Sequence, residues 1–331
     1  MADSKYWSGK NVFITGATGL VGSWLVKDLC KSGANAVCLV RDYTPRSLFF
    51  QEGLDKITTI VSGQLEDLSV LERTINEYEI SNVIHLGAQT IVGAANRSPL
   101  STFESNVRGT WNLLEVCRQN DEFVKSVVVA SSDKAYGDQP VLPYTELTSL
   151  QGKHPYDVSK SCVDLISQAY ANTYALPVTI SRCGNFFGPG DLNFNRLVPG
   201  TVLSILRGQR PVIRSDGKYV RDYIYVEDAS AAYSLLGRKT EQKKLCGEAF
   251  NFSNENQYTV LELVKLIIRL MGKRVKPRIL NKARGEIKKQ HLSAAKARKV
   301  LGWKSRYSVE DGLQKSIDWY SSKFKAGLFG W

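Results

Sequence analysis

The 331-residue chain reads as an α/β protein, a doubly wound parallel sheet with a smaller, interleaved C-terminal substrate-binding lobe. Three observations predict this class. Short apolar runs alternate with amphipathic segments through the first half. The runs are continuously apolar, as strands covered on both faces must be. From Gly184 to Pro211 the texture turns to Gly, Asn and Pro, and later segments are helical again.

The expected strands are Asn11–Thr15, Ala36–Val40, Ile57–Val61, Asn82–Leu86, Ser126–Ser131 and Val178–Arg182, with Ala249–Phe252 returning late to the same sheet. Expected helices between them are Val21–Lys31, Val70–Tyr78, Leu100–Gln119 and Tyr156–Tyr174. In the lobe, Tyr258–Gly272 and Asp311–Phe324 read as helices. Residues 1–184 and 218–252 are therefore expected to form the dinucleotide-binding unit, and 185–217 and 253–331 the lobe over its C-terminal edge, where ligands of such sheets bind.

Directly after the first strand comes Thr15-Gly16-Ala17-Thr18-Gly19-Leu20-Val21-Gly22, and then a helix. Glycines there permit a tight turn, a close approach of backbone to a pyrophosphate, and packing of helix on strand. The spacing, Gly-x-x-Gly-x-x-Gly between strand and helix, points to a Rossmann-type dinucleotide site. At the end of the second strand an acid would accept from a ribose hydroxyl, and an arginine would pair with a 2′-phosphate. Arg41 and Asp42 offer both, with Arg41 first, which tilts the choice between NAD and NADP toward NADP.

Pro155 precedes Tyr156-Asp157-Val158-Ser159-Lys160, and proline suits the first turn of a helix. Residues four apart share a face, so the Tyr156 phenol and the Lys160 ammonium can approach one cofactor. A free phenol has a pKa of ~10, and positive charge beside it favours phenolate, a usable base. Upstream, the fifth strand ends in Ser131-Ser132-Asp133-Lys134, where Ser132 can hydrogen-bond the same hydroxyl.

Together with His85-Leu86-Gly87-Ala88-Gln89, Asn106-Val107-Arg108-Gly109-Thr110, Arg182-x-x-Asn185, Arg221-Asp222-Tyr223, Arg284-Gly285-Glu286 and Leu301-Gly302-Trp303, these motifs resemble the extended short-chain dehydrogenase/reductases, the nucleotide-sugar epimerases and dehydratases. The resemblance spans nearly the whole chain. It implies that Ser132, Tyr156 and Lys160 form the catalytic triad. It implies a tightly bound NAD or NADP, regenerated in the cycle, held by Gly16, Thr18, Gly19, Leu20, Val21, Gly22, Arg41, Asp42, Gln64, Leu65, Leu86, Ala88, Gln89 and Asn106 beside Tyr156 and Lys160. It implies sugar-nucleotide contacts from Gln89, Ser132, Asn185, Asn195, Arg196, Arg214, Arg221 and Arg284, arginine being suited to phosphate oxygens. Gln64 stands where the family often has an aspartate, and Gly87 replaces a usual alanine.

Asp133-Lys134 separates the family's reactions, because removing water from C5 and C6 needs an acid and a base that epimerisation does not. The pair resembles the CDP-glucose 4,6-dehydratases, with Lys134 expected as the C5 base and Asp133 as the acid at C6. A 4-epimerase is the alternative, and a non-catalytic redox-sensing protein is disfavoured by the intact Ser132, Tyr156 and Lys160. The resemblance further implies a homodimer through a four-helix bundle of Leu100–Gln119 and Tyr156–Tyr174, with Trp111, Leu114 and Val163 as candidate contacts that core packing would explain equally.

Composition narrows the remaining classes. A 43% hydrophobic and 23% charged chain is ordinary for a globular protein and excludes disorder. No run approaches the ~20 apolar residues of a membrane span, and Met1–Lys10 lacks a secretion pattern, so a cytoplasmic enzyme is expected. Six scattered cysteines and three histidines give no metal-ligand spacing, and none is expected to bind metal. The net charge of +12 is dispersed apart from Lys273–Lys304, and without a nucleic-acid motif it reads as a field that draws phosphorylated small molecules.

Overall fold

The computed structural model describes residues 2–241, 245–282 and 287–329. In chain order the strands are β1 (Asn11–Thr15), β2 (Asn35–Val40), β3 (Thr59–Ser62), β4 (Asn82–His85), β5 (Ser126–Ala130) and β6 (Val178–Cys183). There follow β7 (Asn185–Phe187), β8 (Val212–Ile213), β9 (Val220–Tyr225), β10 (Ala249–Phe252), β11 (Gln257–Thr259) and β12 (Arg278–Ile279). The main sheet has seven parallel strands in the order β10-β6-β5-β4-β1-β2-β3. The order reverses at β1 and β4, which opens a crevice at their C-terminal ends.

Successive side chains of a strand point to opposite faces, and both faces here are apolar. Val12 and Ile14 of β1 join the core beneath the helices Leu20–Lys31 and Val226–Thr240, while Phe13 joins the core on the other side with Leu71, Leu113, Leu114 and Val163. Leu114 and Val163 are thus 0% and 1% exposed within their own subunit. They are removed from the expected intersubunit contacts, whereas Trp111 remains 45% exposed.

Several boundaries differ from the sequence reading, each for a local reason. Ile57 lies outside β3, because a tight turn at Leu54–Lys56 precedes it and leaves its side chain in solvent. Tyr258 belongs to β11; the helix begins at Val260, after Thr259 and Glu262 close a reciprocal capping box. Ser308 and Asp311 do the same at Val309–Lys325. The expected helix Leu100–Gln119 is three pieces, Pro99–Phe103, a π-helical turn Glu104–Arg108, and Gly109–Gln119. Its extra residue per turn lets Asn106 face inward, where it accepts from Gln89 N at 2.7 Å and donates to Ser159 Oγ at 2.9 Å.

The lobe is built from a three-stranded sheet β11-β9-β7, a β8-β12 pair, and helices Leu197–Leu206, Val260–Leu270 and Val309–Lys325. It leans over the C-terminal ends of the main strands. The helix following β9, Val226–Thr240, packs back on the large sheet, so the two parts interleave.

One buried polar side chain ties the sheet edge together. His85 meets Thr15 Oγ1 through Nδ1 at 2.7 Å and Thr110 Oγ1 through Nε2 at 2.9 Å. Thr110 gives its own proton to Asn106 O, so it accepts from Nε2–H, and Thr15 donates to Nδ1 while accepting from Gly87 N. Burial, assisted by the Lys160 charge, lowers the imidazole to about 3 from its ordinary 6.5. Between these values the unfolded chain binds a proton that the folded one refuses, so stability falls as pH drops below 6.5. Urea unfolding of the wild type should lose stability up to about 1.4 kcal/mol per pH unit more steeply than H85Q in that window. Equal slopes would remove His85 as the proton-linked group.

Candidate active site

The cleft between sheet edge and lobe has a volume of ≈ 920 Å³. Its floor is the glycine turn. Gly16 has φ +73°, and a Cβ there would lie 2.8 Å from Gly87 N; a Cβ on Gly22 would overlap the Gly16 carbonyl oxygen. No side chain caps the helix Leu20–Lys31 at Gly19, and its first turn holds no acid. Backbone N–H groups therefore face the cleft as an anion cradle, which is the fit a dinucleotide pyrophosphate requires. Gly87 is explained in the same place: a Cβ would come within 3.0 Å of both Thr15 Oγ1 and Leu65 Cδ1, crowding the Thr15 hydrogen bond to Gly87 N.

Thr18, Leu20, Val21, Gln64, Leu65, Leu86 and Ala88 line the cleft with these glycines. Arg41 and Asp42 stand at its mouth and pair with each other at 2.7 Å, so the two rival charges for the ribose position balance one another. Gln89 and Asn106 are not among the lining residues. They hold each other behind the wall, and Asn106 is 1% exposed.

Ser132, Asp133, Lys134, Tyr156 and Lys160 come together on one side of the cleft. They arrive from two elements, the short turn Asp133–Tyr136 after β5 and the start of the helix Pro155–Tyr174. Ser132 donates to Asp133 Oδ1 at 3.0 Å and lies beside the Tyr156 phenol. Burial pushes that phenol up to about 12; Ser132 and Arg196 pull it down, while Asp133 raises it. Lys160 donates to Ala130 O at 2.6 Å, and burial lowers it to about 8. In the protein alone desolvation outweighs the charges beside the phenol, so the positive charge expected to favour phenolate must include that of an oxidised nicotinamide as well as Lys160. Lys134 Nζ donates to Asp133 at 3.1 and 3.2 Å and to Gln290 Oε1.

Asn185, Asn195, Arg196, Arg214 and Arg221 line the opposite side. Arg196 reaches Asp191 at 3.2 Å and Thr90 at 3.4 Å, Arg214 reaches Asn195 at 2.9 Å, and Asn185 donates to Asp222 O at 3.2 Å. The Arg221 guanidinium lies 5.5 Å over the Tyr219 ring. Arg284 lies outside the described residues. Residues with no assigned role in the sequence reading are His85, Asp191, Tyr219 and Gln290. A histidine inside an apolar strand was a legible signal, whereas Gln290 joins Lys134 across 156 residues and carried none. Among the described residues, no three His, Cys, Asp or Glu side chains cluster as a metal site, and no helix is long and apolar enough to cross a membrane.

Comparison with known proteins places the chain among nucleotide-sugar dehydratases and epimerases. The chain is 30% identical to the CDP-glucose 4,6-dehydratase of Salmonella typhimurium, over 97% of this chain and 93% of that one. The dTDP-glucose 4,6-dehydratase of Bacillus anthracis, solved in complex with NAD, superposes with a TM-score of 0.85 at 26% identity, over 96% of this chain and 98% of that one. A UDP-glucose 4-epimerase of Thermotoga maritima, solved with UDP-glucose, gives 0.86 at 27% identity, over 95% and 99%. The family model described as GDP-mannose 4,6 dehydratase matches residues 13–316, and the chain belongs to that family.

Proposed function

We propose that the chain is an NAD(P)-dependent nucleotide-sugar 4,6-dehydratase that turns a CDP-glucose-like NDP-hexose into the NDP-4-keto-6-deoxyhexose. The observation that carries this reading is the Asp133–Lys134 pair, which lines the same side of the cleft as Ser132 and Tyr156. An epimerase has no use for that acid and base. In this reading residues 1–184 and 226–252 hold the cofactor, and 185–217 and 253–331 the nucleotide sugar; β9, expected within the cofactor unit 218–252, pairs instead with β7 and β11 of the lobe.

The chemistry that a bound nicotinamide supplies is storage of one hydride, taken from C4 and returned at C6, with positive charge beside the phenol while oxidised. Tyr156 accepts the C4 hydroxyl proton, and Ser132 orients that hydroxyl. Ketone formation acidifies C5, whose proton passes to Lys134 as the free amine. Asp133, as the acid, protonates the C6 oxygen, which leaves as water. Lys134 then returns its proton to C5. In this reading the C4 proton passes from Tyr156 through the Ser132 hydroxyl, which already donates to Asp133, so the protons balance over the cycle. The amine and acid forms differ from the ion pair by one proton moved from Nζ to the carboxylate.

We also propose a cytoplasmic homodimer. Trp111 and Leu165, 45% and 56% exposed, lie on the helices Gly109–Gln119 and Pro155–Tyr174, and burying them against a partner forms a four-helix bundle.

Incubation with a panel of nucleotide hexoses, read by mass spectrometry, should find one that loses a single water without net consumption of cofactor. An isomer of unchanged mass would favour the 4-epimerase, the reading that the Thermotoga likeness supports. In K134M, water loss should fall roughly 10²- to 10⁴-fold while reduced nicotinamide still appears on adding substrate; an unchanged rate of water loss would remove Lys134 as the base. The double variant W111D/L165D should sediment as a monomer, and an unaltered dimer would place the interface elsewhere.

A further inference from the structure

We propose that Gln290 is a positioning residue for the elimination step, resting on the dehydratase reading above. Its side chain is fully buried and both of its polar atoms are used. Nε2 donates to Asp133 O at 2.6 Å, and Oε1 accepts from Lys134 Nζ. The amide orientation is fixed by this arrangement, since a carbonyl only accepts and an ammonium only donates. One side chain thus grips the acid by its backbone and the base by its nitrogen.

The lobe delivers this amide from a distance in sequence. Residues 288–292 run beside the start of β9: Val220 N donates to Lys288 O at 2.9 Å, Gln290 N to Val220 O at 3.2 Å, and Leu292 N to Asp222 Oδ2 at 3.3 Å. On the far side Tyr144 N donates to His291 O at 3.0 Å, and Ser293 N to Tyr144 O at 2.9 Å. The segment is stitched on both edges, and the residue before it, Ile287, lines the cleft. The wall that meets the substrate and the clamp on the acid–base pair are therefore one piece of chain.

The chemistry favours glutamine over the alternatives of similar size. Lys134 must work as an amine and then as an ammonium, and an amide oxygen accepts from both without adding charge. A carboxylate there would favour the ammonium and hold the proton. The charged groups already facing Lys134 are Asp133 on its own turn and Asp157 on the helix Pro155–Tyr174, whose titratable neighbours His154 and Tyr156 also line the cleft. A leucine would leave the Asp133 carbonyl and the Lys134 nitrogen each without its partner from the lobe.

The test uses the full-length Q290L and Q290E variants with the nucleotide hexose that the wild type dehydrates. In Q290L, kcat for water loss should fall on the order of 10²-fold with KM little changed, and reduced nicotinamide should accumulate because C4 oxidation continues. In Q290E, the acid limb of the kcat profile should move up by about one pH unit. If Q290L does not fold, by its thermal transition, the Q290E profile decides alone. Wild-type kcat in Q290L, or an unmoved acid limb in Q290E, overturns the role. A wild type that only isomerises the sugar overturns the dehydratase reading itself, and the role of Gln290 falls with it.

Discussion

Where β1 and β4 end, the Gly16 backbone lies against Leu86 and Gly87 with no room for a Cβ between them. This close approach governs the site. It lets the helix Leu20–Lys31 present its uncapped N-terminus to the cleft, and it lets Thr15 bond Gly87 N and His85 at once. The same hydrogen bonds continue through Thr110 to Asn106 and Ser159, and Ser159 donates to Tyr156 O at 2.7 Å. The cofactor floor and the helix that carries Tyr156 are thus parts of one buried polar network.

The catalytic wall has a different character. Charges come in pairs there and nearby: Asp133 with Lys134, Arg182 with Asp164 at 2.7 Å deeper in, and Arg196 with Asp191 across the cleft. Pairing lets charge stay in a partly desolvated cleft without leaving an isolated ion to be solvated. Tyr156 and Lys160 have no such direct partner, and burial moves both toward their neutral forms. Arg214 and Arg221 also line the cleft, Arg214 donating to the neutral Asn195, which suits a substrate that carries a diphosphate.

The sequence carried most of the sheet and much of the site, for a physical reason. Parallel strands buried on both faces must be continuously apolar, so β1, β2, β4, β5, β6 and β10 announce themselves within a residue or two at each end. The glycine turn and the Tyr156–Lys160 spacing are local patterns, readable because the chemistry lies within a few residues. What escaped is non-local. Nothing near Asn106 signals a π-helical turn, since the reason for it is the fit of Gly109 against Leu65 and of Asn106 against Gln89. Leu114 and Val163 stay open between core and interface in the sequence, because periodicity cannot tell a subunit's own core from an interface, and they lie in the core. Gln290 becomes visible only once the lobe has folded over β5.

The late return of β10 has a consequence for synthesis of the chain. β6 finds its outer neighbour in residues 249–252, after β7, β8, β9 and the helix Val226–Thr240 have been made. A nascent chain that has emerged only as far as β6 presents an unpaired strand edge, the kind of surface that recruits other strands. Only the first part of the lobe precedes β10 in the chain and the rest follows it, so assembly of the two parts is interlocked in time as well as in space. Translation pauses or truncations before residue 252 therefore leave the molecule with an adhesive border, whatever the completeness of its cofactor floor.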